Sequence, residues 1–190
     1  HEDIHWSCEG GAFWWQIGLS WGLQLAAQKL RRSKDWEGWH EVRESLENGK
    51  YLRDGPQILK RYDPCGLACK WLTASERLYS EWESHTPLDS WIKQPMLLIG
   101  GWWDPHLRGI LDIYQKSIDK GGTPYLFIGP ASHLQWWDET SKIQLDFFNR
   151  YLKGENLNKN TSYRNLWNIT SEKWESREDI RNKKHFPSWS

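Results

Sequence analysis

The sequence predicts an α/β fold in which a short parallel sheet follows a small helical region, and three observations point there. Met96-Leu97-Leu98-Ile99 and Tyr125-Leu126-Phe127-Ile128 are unbroken apolar runs, each closed by glycine, as Gly100-Gly101 and Gly129-Pro130. Short runs of this kind suit parallel strands covered on both faces. Between them Leu107, Ile110, Leu111, Tyr114 and Ile118 recur at helical spacing, with Gly121-Gly122 as a stop. Before Pro95 the chain reads as helices and polar turns, so strand, helix, strand begins only there.

Taken in order, Gly10 to Arg32 fits two patterns. Trp15, Ile17, Leu19, Trp21, Leu23 and Leu25 alternate as a half-buried strand would, while Trp14, Ile17, Trp21 and Leu25 share one helical stripe. The strong helix formers from Leu23 to Leu30, with Arg31 and Arg32 at the end, favour helix. Residues 33 to 90 are expected to form short helices broken at Asp54-Gly55-Pro56 and Asp63-Pro64. After the second strand, Ile143, Phe147, Phe148, Tyr151 and Leu152 outline another amphipathic helix that Gly154 ends, and Asp138 is its expected N-cap. Tyr163 to Ile169 reads as the start of a further strand. No internal repeat and no low-complexity run is present.

Composition removes several classes of function. The 25 basic and 25 acidic residues balance and the isoelectric point is near 7.2, so no broad positive field is available for nucleic acid or an anionic membrane. No stretch approaches the ~20 apolar residues of a spanning helix, and no signal-like opening is seen. Three cysteines, Cys8, Cys65 and Cys69, are too few and too odd for a secreted disulfide framework, so reduced thiols and a cytoplasmic setting are expected. Sixteen tryptophans in 190 residues suggest an aromatic-lined cavity. The opening at His1 and the close at Phe186-Pro187-Ser188-Trp189-Ser190 both read as cut ends.

Loops after the C-terminal ends of parallel strands carry catalytic groups. Trp102-Trp103-Asp104-Pro105 follows the first run and Ala131-Ser132-His133 the second, so an acid and a histidine are expected on neighbouring strand ends. Asp104 and His133 stand in the chain order, acid then histidine, that the last two members of a serine-hydrolase triad take. The plainer alternative makes Asp104 a helix cap and His133 a loop residue. Trp102, Trp103, Trp136 and Trp137 are placed to exclude water from such a pair, the first three as candidate substrate-pocket walls. Gly18-Leu19-Ser20-Trp21-Gly22 matches the G-x-S-x-G elbow, but only 17 residues precede it, too few for the strands an elbow needs. Ser20 is therefore read as a helix serine. Asp104, His106 and His133 are also a conceivable metal set, but His106 falls at a helix start, and no metal or cofactor is expected.

Gly101-Trp102-Trp103-Asp104, Gly129-Pro130-Ala131-Ser132-His133 and Phe147-Phe148-Asn149-Arg150-Tyr151-Leu152-Lys153-Gly154 together resemble the acyl-hydrolase family of X-Pro dipeptidyl-peptidases, cocaine esterase and α-amino-acid ester hydrolases. That family shows a G-W-Y/W-D acid loop, a G-P-W-x-H histidine loop and an F-F-D-x-x-L-K-G helix in this order. Gly10-Gly11-Ala12-Phe13 through Trp21 looks like the opening of its helical cap, and Leu166 to Trp174 like the approach to its C-terminal jelly-roll domain.

The resemblance implies a partial α/β-hydrolase sheet with a helical cap and the start of a C-terminal β domain. It assigns residues 1–90 to the cap, 91–157 to the hydrolase core and 158–190 to the incomplete β domain. It implies Asp104 as catalytic acid and His133 as catalytic histidine of a serine hydrolase acting on acyl ester or X-Pro peptidyl amide bonds. The expected partners are a small acyl ester or short peptide substrate and the upstream part of the hydrolase domain, with a homo-oligomer left open. Two departures stand out: Ala131 replaces the family's tryptophan, and the family's nucleophile lies upstream of the cap, so the piece alone is expected to be inactive. The rival reading is a non-catalytic tryptophan-rich binding module, which predicts coplanar exposed tryptophans and no contact between Asp104 and His133.

Overall fold

Leu19, Leu23, Ala26, Ala27 and Leu30 fall three and four residues apart, and this stripe forms the centre of the first of two compact units. The computed structural model describes residues 8–9, 12–73, 87–155 and 163–177. The units lie within Asp3–Ser84 and within His85–Ser190. Gly10-Gly11, residues 74–86, residues 156–162 and the two ends fall outside the described residues.

Among the described residues, the first unit has a two-residue antiparallel ladder, β1 (Cys8–Glu9) with β2 (Ala12–Phe13), and four helices: α1 (Trp15–Ser33), α2 (Trp36–Glu47), α3 (Tyr51–Tyr62) and α4 (Leu67–Thr73). Helix α1 confirms the helical alternative for this stretch, but its buried face is not the expected one. Leu19, Leu23 and Ala26 are wholly buried, whereas Ile17 of the tryptophan stripe is exposed. The aliphatic side interdigitates with Val42, Ile58 and Leu59 from the neighbouring helices, and each large aliphatic removed from water contributes about 1.5–3 kcal/mol. Trp21 instead stacks on Trp71 of α4, centroids 5.2 Å apart. Helix α1 ends at Lys34 in the left-handed region, where the Lys34 and Asp35 amides bond back to Arg31 and Leu30; Asp35 then caps α2 through Gly38 N–H at 3.0 Å.

The break expected at Asp54-Gly55-Pro56 does not occur, since α3 runs through Pro56. Proline has no N–H to give the carbonyl four residues back, which is that of Leu52. Trp15 Nε1 supplies the missing donor at 2.7 Å. Gly55 packs against Leu19, and Ile58 and Leu59 enter the core, so tertiary packing holds the turn that proline weakens. The break at Asp63-Pro64 is present, between α3 and α4.

The second unit contains α5 (Asp89–Ile92), β3 (Leu97–Trp103), α6 (Leu107–Asp119), β4 (Tyr125–Ser132), α7 (Thr140–Leu152), β5 (Arg164–Asn168) and β6 (Lys173–Arg177). Its sheet has the order β3-β4-β5-β6, with β3, β4 and β5 parallel and β6 antiparallel to β5. The strand, helix, strand unit is as expected: Leu98, Leu126 and Ile128 form a core with Tyr114, against which Leu107, Ile110 and Ile118 pack. Gly121, at φ +82°, ends α6 in the left-handed region that favours glycine. Leu166 to Trp174, expected to approach a separate β domain, is hydrogen-bonded into this same sheet, with Leu166 against its core.

Two details of α7 differ from expectation. Asp138 does not cap it; the residue before its first turn is Glu139, with no side-chain cap bond, and Thr140 Oγ1 donates to the Trp137 carbonyl at 2.8 Å. Phe147 packs edge-on to Tyr125, but Leu145, Phe148 and Leu152 point to solvent, Leu152 at 78% exposure. Among the described residues, no helix is long and apolar enough to cross a membrane.

Candidate active site

Parallel pairing of β3 with β4 brings their C-terminal ends side by side, and the register is not uniform there. Gly101 faces Gly129, but Trp103 faces Ser132, so β4 holds one residue more than β3 over this step. A bulge of this kind re-aims the side chains beyond it. Gly101 permits it: a methyl group on Gly101 would fall onto the backbone carbonyl of Ala131, which is itself buried. The two strand ends therefore close on each other at the point where Asp104 and His133 leave the sheet.

Asp104 follows β3 in a tight turn, its N–H bonded to the Gly101 carbonyl at 3.1 Å and its own carbonyl accepting from Leu107 N–H at 3.1 Å. Its Oδ1 accepts from the His106 N–H at 2.8 Å. Asp104 therefore does not cap α6, whose N-cap is His106 without a side-chain cap bond; its Oδ1 ties the turn before the helix instead, and it faces His133 as well. His133 Nδ1 stands 3.4 Å from each of the two carboxylate oxygens. That exceeds the roughly 2.6–3.2 Å of a working acid–base hydrogen bond, although such bonds are commonly long before substrate arrives. The carboxylate is 7% exposed and the imidazole 53% exposed, so the acid is fixed and the histidine is open on its far side.

His106 completes the cluster, its ring edge-on to His133 with centroids 4.7 Å apart. Burial pushes the His106 imidazole below the ordinary histidine range, against the opposing pull of Asp104. One ligand atom each from Asp104, His106 and His133 can be chosen so that all lie within 4.8 Å of one another. The sequence placed His106 at the helix start, where it indeed lies, and for that reason set it aside. A residue two positions after the acid, on the turn that the acid anchors, is held close to the same carboxylate, and this spacing was the available signal.

The tryptophans divide into two groups. Trp102 turns into the sheet, where its Nε1 donates to the Trp167 carbonyl at 2.7 Å and its ring packs on the core. Trp137 covers Gly129 and meets Trp174, its Nε1 buried without a hydrogen-bond partner. Trp103 and Trp136 stand exposed. Only these last two are free to meet a ligand, and they leave His133 accessible to water.

Ser20 lies within α1, its hydroxyl donating to the Ile17 carbonyl at 3.1 Å. Gly18 and Gly22 of the G-x-S-x-G run serve helix packing, against Phe13 and Ala68 respectively. A nucleophile elbow requires a strand, a sharp turn and a helix, and these residues form a continuous helix.

A comparison with curated proteins gives no match. The family model for the X-Pro dipeptidyl-peptidases of the S15 family matches residues 2–135. Because that match spans well over half of the 190 residues and runs through both strand ends just described, the chain belongs to the X-Pro dipeptidyl-peptidase (S15) family of hydrolases.

Proposed function

We propose that the chain carries the acid and the base of a serine hydrolase that cleaves acyl ester or X-Pro peptidyl amide bonds. The observation that carries this reading is the meeting of Asp104 and His133 at the ends of adjacent parallel strands. With Nδ1 turned to the carboxylate, the proton belongs on that nitrogen, and Nε2 is left to take the proton of an attacking serine. Asp104 holds this tautomer and stabilises the imidazolium formed as the serine adds to the acyl carbon. The same imidazolium then protonates the leaving alcohol or amine, and water repeats the sequence to free the acid.

On this reading the serine is not Ser20, and it comes from the part of the hydrolase domain that the resemblance places before the cap. The 190 residues alone hydrolyse nothing. By the family resemblance, residues 1–90 correspond to its cap, 91–157 to its hydrolase core and 158–190 to the start of its C-terminal β domain. Trp103 and Trp136 are the candidate walls for the acyl group, Trp102 supporting them from the sheet, and a cytoplasmic setting belongs to the same reading.

The test is hydrolysis of an X-Pro p-nitroanilide and of a phenyl ester by these residues joined to an upstream segment carrying the family serine. Loss of both activities on His133→Ala supports the reading; undiminished turnover sinks it. The tryptophan-rich binding module is less well supported. It calls for coplanar exposed rings, whereas the near-parallel pair Trp21 and Trp71, at 20°, is half-buried, exposed Trp36 meets Trp39 at 83° and exposed Trp136 meets Trp137 at 55°.

A further inference from the structure

We propose that Asp104, His106 and His133 form a binding site for a divalent transition-metal ion of the zinc class. One carboxylate and two imidazoles are the donors such borderline ions take, and three protein ligands leave a position open to water. Around a tetrahedral ion with bonds of about 2.0–2.1 Å, donor atoms stand roughly 3.3–3.4 Å apart. Asp104 and His133 already have that separation, at 3.4 Å. The same distance is long for a direct hydrogen bond, and neither carboxylate oxygen is preferred over the other. The pair can take up an ion between them without moving apart.

The third donor lies near enough to join. The three ligand atoms are within 4.8 Å of one another, so a tetrahedral ion draws the widest pair together by no more than about 1.5 Å. The backbone beneath is fixed, because the His106 N–H is tied to Asp104 Oδ1 at 2.8 Å and both residues sit on the turn into α6. Exposure of His133 gives the ion a path from solvent.

Occupancy and acid–base work exclude each other. A neutral imidazole carries one proton, so when Nδ1 is on the ion the proton sits on Nε2, and the ring has no lone pair left for a serine. The ion thus holds His133 in the tautomer opposite to the one a general base requires. This consequence rests on the acyl-transfer reading; the binding does not.

The experiment is titration of the untagged 190-residue chain with Co²⁺ as a visible probe, followed by displacement with Zn²⁺. The site predicts a single saturable complex with d–d absorption that Zn²⁺ abolishes. His106→Ala and His133→Ala should each weaken it by about tenfold or more, and His40→Ala should leave it unchanged. Should a substitution disturb folding, ¹⁵N-histidine spectra of the unaltered chain decide. Zn²⁺ then moves the assigned ring nitrogens of His106 and His133, in step with saturation, while those of the other five histidines stay put. Absence of a stoichiometric complex, or a complex that survives the double His106→Ala/His133→Ala change, overturns the proposal. Neither readout involves hydrolysis, so its failure is separate from failure of the catalytic assignment.

Discussion

His133 Nδ1 is equidistant from both carboxylate oxygens of Asp104, 3.4 Å from each, while Oδ1 is also engaged by the His106 N–H at 2.8 Å. The acid is therefore positioned by its own loop before the histidine takes part. On the proposed function, Asp104→Asn in the hydrolase carrying these residues keeps the turn and removes the charge assigned to selecting the tautomer. A fall in kcat of about 10⁴-fold is expected, with KM for an X-Pro p-nitroanilide little changed. A decrease below about tenfold would show that Asp104 serves only to hold the turn before α6.

The approach of β3 to β4 gives a second expectation. Gly101→Ala places a methyl on the Ala131 carbonyl and forces the strand ends apart. Overpacking of this kind costs about 1–3 kcal/mol. Urea unfolding should report that loss, and the Asp104–His133 separation should widen in a structure of the variant. Gly121→Ala, at an open left-handed turn, acts on the backbone alone and should leave the site geometry as it is.

Trp15 and Pro56 act on the same carbonyl and should couple. Trp15→Phe keeps the ring bulk and removes the donor to Leu52, at a cost of about 1 kcal/mol. In a Pro56→Ala background the helix supplies its own N–H to Leu52, so Trp15→Phe should then cost distinctly less. The double-mutant cycle measures the difference, and additive effects would refute the coupling.

Alkaline conditions test the core of the second unit. Tyr114 is buried, and burial pushes its hydroxyl above the ordinary value of 10.0. The unfolded chain then loses this proton before the folded one, so the Tyr114 contribution to stability is intact below pH 10 and lost as pH rises from there through the folded value. Tyr114→Phe should flatten the decline of stability above pH 10 relative to the unaltered chain. Parallel curves would mean that the hydroxyl reaches water.

Much of the second unit was legible because its signals are local. Unbroken apolar runs, a helical repeat between them and glycine stops define β3, α6 and β4 without reference to anything distant. The side-by-side placement of the acid and histidine loops followed from that topology. The features that were not legible depend on contacts between remote residues. The buried face of α1 is chosen by Val42, Ile58 and Leu59, not by where its tryptophans lie. The survival of α3 through Pro56 depends on Trp15, 41 positions earlier by the numbering. The inclusion of β5 and β6 in the central sheet depends on pairing with β4 across α7. In the site, tryptophan identity suggested a closed cavity, yet Trp102 and Trp137 are committed to the sheet and Trp103 and Trp136 stay open. The F-F-x-x-x-L-K-G run that helped reveal the family lies beyond residue 135, where the family match ends.

Leu145, Phe148 and Leu152 on the outer side of α7 also govern how this polypeptide behaves in a tube. A strip of large apolar groups facing water favours reversible self-association, and association makes a melting temperature vary with dilution. Light scattering across a concentration series, and a Leu152→Glu variant in parallel, are therefore the first controls for every unfolding measurement above.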